Sequence, residues 1–124
     1  MAGISILDDM FALCPKLQRA TITLLNSSDL TDISYMFNGD EALESVDLSI
    51  DTQNVEYMAY MFKGCRNLKT IYVTDSWVTD SLETQYSMFE GCVSLVGDIP
   101  FDSNCVDGTY ATYTNGYLTL KETV

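Results

Sequence analysis

The stretch Val55-Glu56-Tyr57-Met58-Ala59-Tyr60-Met61-Phe62-Lys63-Gly64-Cys65-Arg66-Asn67-Leu68-Lys69-Thr70-Ile71, continued by Tyr72-Val73, decides the fold. Its Met61-Phe62 pair recurs as Met10-Phe11, Met36-Phe37 and Met88-Phe89, at steps of 26, 25 and 27 residues. Other columns hold the same frame. Seven residues after each Met stands Leu17, Leu43, Leu68 or Leu95. Three after it stands Gly39, Gly64 or Gly91, with Leu13 in the first copy. Four after it stands Cys14, Asp40, Cys65 or Cys92. Ala20, Val46 and Ile71 share one later column, and Ile22, Leu48 and Val73 another. So many columns in one frame mark an internal repeat.

Each copy divides in two. Before the glycine, apolar residues fall at Val55, Met58, Met61 and Phe62, and likewise at Leu30, Ile33, Met36 and Phe37. That spacing matches one face of a short helix, which Thr31, Thr52 or Asn54 would cap and the glycine would end. After the glycine, Ile71-Tyr72-Val73 alternates apolar and polar, as a strand does. A unit this small cannot cover its own apolar face, so the copies must stack. The expected fold is therefore α/β: a leucine-rich-repeat-like solenoid with one short helix and one short parallel strand per coil. All 124 residues form a single repeat domain, with coils at approximately 4–29, 30–54, 55–81 and 82–100. Stacking in this register puts Glu41 beside Arg66, Glu44 beside Lys69 and Lys63 beside Glu90.

The two ends differ. The frame lapses at Val96-Gly97-Asp98-Ile99-Pro100. Asn115-Gly116 then separates the β-prone runs Thr109–Thr114 and Tyr117–Leu120, which predicts a β-hairpin cap within 101–124. The first coil starts near Ile4 and has no comparable cover. Ile4, Leu7, Met10, Phe11, Leu17 and Ile22 would leave an apolar edge, which further coils or self-association of the chain would cover.

Composition narrows the function. With 18 acids against 6 bases the net charge is −12, which disfavours nucleic acid and anionic membrane surfaces as partners. No apolar run approaches a membrane span, and the acidic start Asp8-Asp9 does not resemble a secretory signal. There is no histidine, which removes the commonest general base and imidazole ligand. Ser27, Ser28 and the threonines have no base beside them in any motif, so no catalytic residues are expected.

The repeat Val55–Ile71 resembles the BspA-like leucine-rich repeat, the 26-residue bacterial surface protein repeat, whose pattern is V-x-x-M-x-x-M-F-x-G-C-x-x-L-x-x-L. Met88-Phe89-Glu90-Gly91-Cys92-Val93-Ser94-Leu95 fits it, and the second coil fits with Asp40 in place of Cys. Leu95-Val96-Gly97-Asp98, Tyr110-Ala111 and Gly116-Tyr117-Leu118-Thr119 resemble the family's ending. The resemblance implies a surface or secreted bacterial protein, with a role in adhesion or host binding through a protein or glycan ligand. It brings no catalytic residues and no cofactor. A structural spacer, or a phage- or secretion-associated binding protein, are the alternatives.

Stacked strands expose every second side chain, which makes Arg19, Thr21, Asp47, Thr70 and Tyr72 the candidate partner-binding residues, with Tyr72 as the aromatic anchor. Cys14, Cys65 and Cys92 share a column and are expected as buried thiols, although a Cys65–Cys92 disulfide is geometrically conceivable. No C-x-x-C and no histidine complete a zinc site. Met10, Met36, Met58, Met61 and Met88 are expected in the core rather than at a soft metal. The segment Asp102–Gly108 is one residue too long for a calcium loop and is expected to be a turn-rich connection.

Overall fold

The computed structural model describes residues 7–24 and 29–121. The strand half of each coil forms as the alternation implies. Strands β1 (Arg19–Thr23), β2 (Ser45–Ser49), β3 (Thr70–Val73) and β4 (Thr119–Leu120) make one parallel sheet in the order β1-β2-β3-β4. Ala20, Val46 and Ile71 lie in one row across it, and Ile22, Leu48 and Val73 in another. The repeat step alone implies that register, because a slip by one residue would turn the buried row outward.

The helix half does not form. Among the described residues there is no α-helix, so the expected helix-and-strand solenoid is corrected to a stack of turn-and-strand coils. Every second N–H of the turn segment leaves its own coil. Ile33, Tyr35, Phe37 and Gly39 donate to the carbonyls of Tyr57, Ala59, Met61 and Lys63. Met58, Tyr60, Phe62 and Gly64 donate in turn to Thr84, Tyr86, Met88 and Glu90. Alternate N–H groups fold back three residues, as Met61 does on Met58, Lys63 on Tyr60 and Cys65 on Phe62. The segment is thus a run of tight turns laddered to the next coil.

An α-helix would keep these bonds inside the segment and offer the neighbouring coil nothing. The segment Val55–Gly64 is also short for one, since isolated helices below ~12–15 residues are marginal in water. The backbone shows the difference directly. Tyr60 and Gly64 both have positive φ, 59° and 81°, as do Tyr35 and Gly39 at 60° and 79°. Left-handed residues four apart are incompatible with a helix. The glycine column is left-handed, as expected, but it repeats a turn instead of ending a helix. Leu13 takes the same conformation in the first coil at φ 57°, where a residue with a Cβ costs about 1–2 kcal/mol.

The expected caps are corrected with the helices. Thr52 is buried and clamps the following coil, accepting from Val78 N–H at 2.6 Å and pairing its hydroxyl with Val78 O at 2.7 Å.

Both turn and helix place the same apolar residues inward. Met36, Phe37, Met58, Met61, Phe62, Met88 and Phe89 are all fully buried. The phenylalanines form one ladder: Phe11–Phe37 at 5.6 Å, Phe37–Phe62 at 5.5 Å and Phe62–Phe89 at 5.8 Å, with rings near parallel. Met10 departs from the expected methionine core and is 55% exposed, because no described coil lies on its open side. Two of the three expected ion pairs form, Arg66–Glu41 at 3.3 Å and Lys63–Glu90 at 3.4 Å. Glu44 and Lys69 meet only through the bond from Lys69 N–H to Glu44 O.

The C-terminal hairpin is also corrected. The open edge of β3 offers unpaired backbone, and β4 takes it in parallel, with Thr119 opposite Tyr72 and Leu120 opposite Val73. The fourth sheet position, vacated where the frame lapses at residues 96–100, is filled from residue 119 onward. Tyr117 is buried and stands edge-on to Phe89 at 5.2 Å, closing the ladder. Its hydroxyl donates to Cys105 O at 2.7 Å, which satisfies the polar end of a buried ring. Trp77 Nε1 donates to Ala111 O at 2.9 Å and fastens the segment to the third coil. At the other end Leu7 is buried, Phe11, Leu17 and Ile22 are half-buried, and Leu13 is exposed. Ile4, Ser27 and Ser28 lie outside the described residues.

Candidate interaction surfaces

The sheet face carries the residues expected to bind. Arg19, Ser45 and Thr70 share a row, and Thr21, Asp47, Tyr72 and Thr119 the next. Arg19 and Thr21 are exposed, Thr70 is half-buried, and Tyr72 is 40% exposed. Asp47 is already engaged. Its Oδ1 accepts the Ser49 hydroxyl at 3.1 Å, and its Oδ2 pairs with Lys121 Nζ at 2.6 Å. Lys121 follows β4 and reaches over β3 to do this. It was hidden in the sequence because the hairpin reading put that segment elsewhere. The face that remains is a row of hydroxyls around one tyrosine, with Arg19 at its edge.

A second surface was missed entirely. Tyr35 and Tyr60 stack at 5.0 Å, and Tyr60 meets Tyr86 edge-on at 5.2 Å. Tyr57 is exposed in the same turn segments. Tyr35 and Tyr60 both stand one residue before the repeated Met, a signal present in the sequence. The helical reading of the segment considered only its apolar positions and gave these tyrosines no role.

The thiol column is structural in the inner coils, whereas Cys14 departs from the expected burial and is half-buried at the open end. Cys65 and Cys92 are free and buried, and their Sγ atoms donate to Phe37 O at 3.1 Å and Phe62 O at 3.0 Å. Burial first, and the Asp40 charge second, push the Cys65 thiol up to about 12. A thiol held protonated is a poor nucleophile and metal ligand. Among the described residues no group of three or more Cys, Asp or Glu side chains is placed to hold a metal ion. In the segment expected as a turn-rich connection, Asp102 accepts from Asn104 N–H and Asp107 from Thr109 N–H, both at 2.9 Å, as local turns do. A cleft lined by Trp77–Asp80 and Ala111–Thr114 has its tryptophan buried in the fold, so the indole offers no platform there.

Asp40 is the exception in the column. It is fully buried; Oδ1 accepts Cys14 N–H at 2.7 Å, while Oδ2 has no hydrogen-bond partner among the described residues. Desolvation raises its pKa from 3.8 to about 6, against the lowering effect of the Cys14 bond. The folded chain therefore holds this proton more tightly than the unfolded chain. Stability from this group is fully present below 3.8 and is lost as pH rises through about 6. Asp40→Asn keeps the acceptor and removes the charge. We expect it to be more stable than the parent by about 1–2 kcal/mol at pH 7.5, after allowance for screening near the open end of the stack. The gap should close only at about pH 3, below the unfolded value of 3.8. Urea denaturation at the two pH values checks this; a gap independent of pH would show that Asp40 is not the titrating group.

Stacked coils, a ladder of buried rings and two decorated faces define a stacked-repeat protein. The chain belongs to the family described as Mycoplasma protein of unknown function, DUF285, which matches residues 4–114. No curated protein and no solved structure matches the chain.

Proposed function

We propose that the chain is a non-catalytic interaction module of a BspA-like repeat protein, displayed at a bacterial cell surface or secreted, that binds protein or glycan on a host or neighbouring cell. One observation carries this reading. Four strands from distant parts of the chain bring their outward side chains into register, and the resulting face is a product of stacking alone. The family match is coarser than the BspA-like resemblance and is compatible with it. The half-covered apolar end at Phe11, Leu17 and Ile22 suits either further coils or a second copy of the chain.

The test is binding of the purified chain to host cells and to arrays of extracellular-matrix proteins and glycans. Tyr72→Ala should weaken a specific interaction about tenfold, as loss of an aromatic anchor does, with the thermal midpoint unchanged. Antibody raised against the chain should also label intact cells of the source organism. Undiminished binding by Tyr72→Ala would move the site off the sheet face, and absence of labelling would remove the surface location.

A further inference from the structure

We propose that the tyrosine strip on the turn face docks an extended, arginine- or lysine-bearing peptide segment of a partner protein. This rests on the reading of the chain as an interaction module, but not on the sheet face. The strip runs over the second, third and fourth coils through Tyr35, Tyr60 and Tyr86, and Tyr57 is exposed on the same turn segment as Tyr60. Tyr86 is 55% exposed, and Tyr35 and Tyr57 are exposed as well.

The backbone sets these rings apart from ordinary surface residues. Tyr35 and Tyr60 occupy left-handed positions at φ 60° and 59°. The same column holds Asp9 and Ser87 in the same conformation, at 58° and 53°. Small polar residues therefore suffice for the turn. A bulky ring is disfavoured there, and strained residues held against preference concentrate at binding sites. Core packing does not explain the rings, since the buried ladder is complete without them.

Charge selects the occupant. Asp8, Asp9 and Glu83 on the turn segments are exposed and Glu56 is half-buried. Lys63 is the base among the strip's described residues, and it is paired with Glu90. The whole chain carries −12, which disfavours phosphate-rich partners. The chemistry is already present in miniature: Lys63 Nζ lies 5.1 Å from the centre of the Tyr60 ring. An incoming guanidinium can use the same attraction on the exposed rings and add planar stacking to it. Lys63 does not block the strip, because its ion pair is solvent-exposed and weak.

The test titrates the chain with a hexa-arginine peptide at physiological ionic strength. A hexaglutamate peptide and a neutral β-1,4-linked hexasaccharide serve as controls. The variant is Tyr35→Ser/Tyr60→Ser/Tyr86→Ser, in which each serine is the residue that another coil holds in that column (Ser87 for the first two, Ser34 for the third). Net charge is unchanged, so bulk attraction is unchanged. We expect the variant to keep its thermal midpoint and to bind hexa-arginine about tenfold more weakly, from the loss of cation–π contacts. Tyr86→Ser alone, at the most exposed ring, should weaken binding about threefold and serves if the triple variant unfolds. Equal affinity of parent and variant overturns the proposal. So does parent affinity for the hexasaccharide that exceeds that for hexa-arginine, or no hexa-arginine binding at all. Loss of hexa-arginine binding on Tyr72→Ala, with the strip variant unaffected, also overturns it while leaving the interaction-module reading standing.

Discussion

Phe62→Ala is expected to remove about 3–5 kcal/mol of stability, a large share of the ~5–15 kcal/mol that a domain possesses. Phe62 is fully buried between Phe37 at 5.5 Å and Phe89 at 5.8 Å, with ring planes within 6° on both sides. Its removal leaves a void that the neighbours are poorly able to fill. The backbone at this residue is anchored in three directions: its N–H donates to Met88 O, and its carbonyl accepts from Cys65 N–H and from Cys92 Sγ. Collapse around the void would strain those bonds. Phe11→Ala, at the half-buried end of the same ladder, should cost markedly less, because Phe11 stacks on Phe37 alone within the ladder. Urea denaturation of the two variants compares them. A falling m-value in Phe62→Ala would show the coils melting separately, as expected when a neighbour contact in a stack is cut. A loss below about 1 kcal/mol would be inconsistent with a packed ladder.

Gly97→Ala should be costly for a different reason, by about 3 kcal/mol, the upper end of the range for overpacking. A Cβ on Gly97 would overlap the carbonyl carbon and oxygen of Tyr117 and come within 2.7 Å of its Cα. These are backbone atoms, so no side-chain rotation relieves the overlap. The chain around Tyr117 must lift, and with it the ring that closes the ladder on Phe89 and the strand Thr119–Leu120. Trp77 reports this, since it is the single tryptophan and its Nε1 bonds to Ala111 O in the same segment. Tryptophan emission should shift to the red in native buffer, before global unfolding. Parent-like emission together with a parent-like melting temperature would mean that the close approach of Gly97 to Tyr117 is not present in solution.

The two substitutions probe parts of the fold that differed in legibility. The ladder was readable: Met-Phe pairs at steps of 26, 25 and 27 residues require stacking, and stacking requires Phe37, Phe62 and Phe89 to be neighbours. The strand register followed from the same step, because side chains alternate along a strand and only one frame buries Val46, Leu48, Ile71 and Val73 together. The turn segment was misread because apolar residues at Val55, Met58, Met61 and Phe62 satisfy a helical face and a chain of turns equally well. Periodicity reports which side chains are buried, not where the N–H groups go. The exposed tyrosines were lost with that assignment, whereas the engagement of Asp47 by Lys121 was hidden by the hairpin reading, since it depends on β4 joining β3.

The amino-acid sequence by itself determined the repeat, its register and the core columns of the inner coils, since these depend on spacing along one chain and on the need to bury apolar surface. Only the tertiary structure decided the backbone path within each coil and the manner in which the last coil is closed. Both are settled by hydrogen-bond partners that lie in another coil: the carbonyls of the next turn segment for Tyr60 and Phe62, and the open edge of β3 for residues 119–121. A local segment carries no record of such partners, so its own pattern favoured a helix and a hairpin that the stack replaces with better-satisfied alternatives.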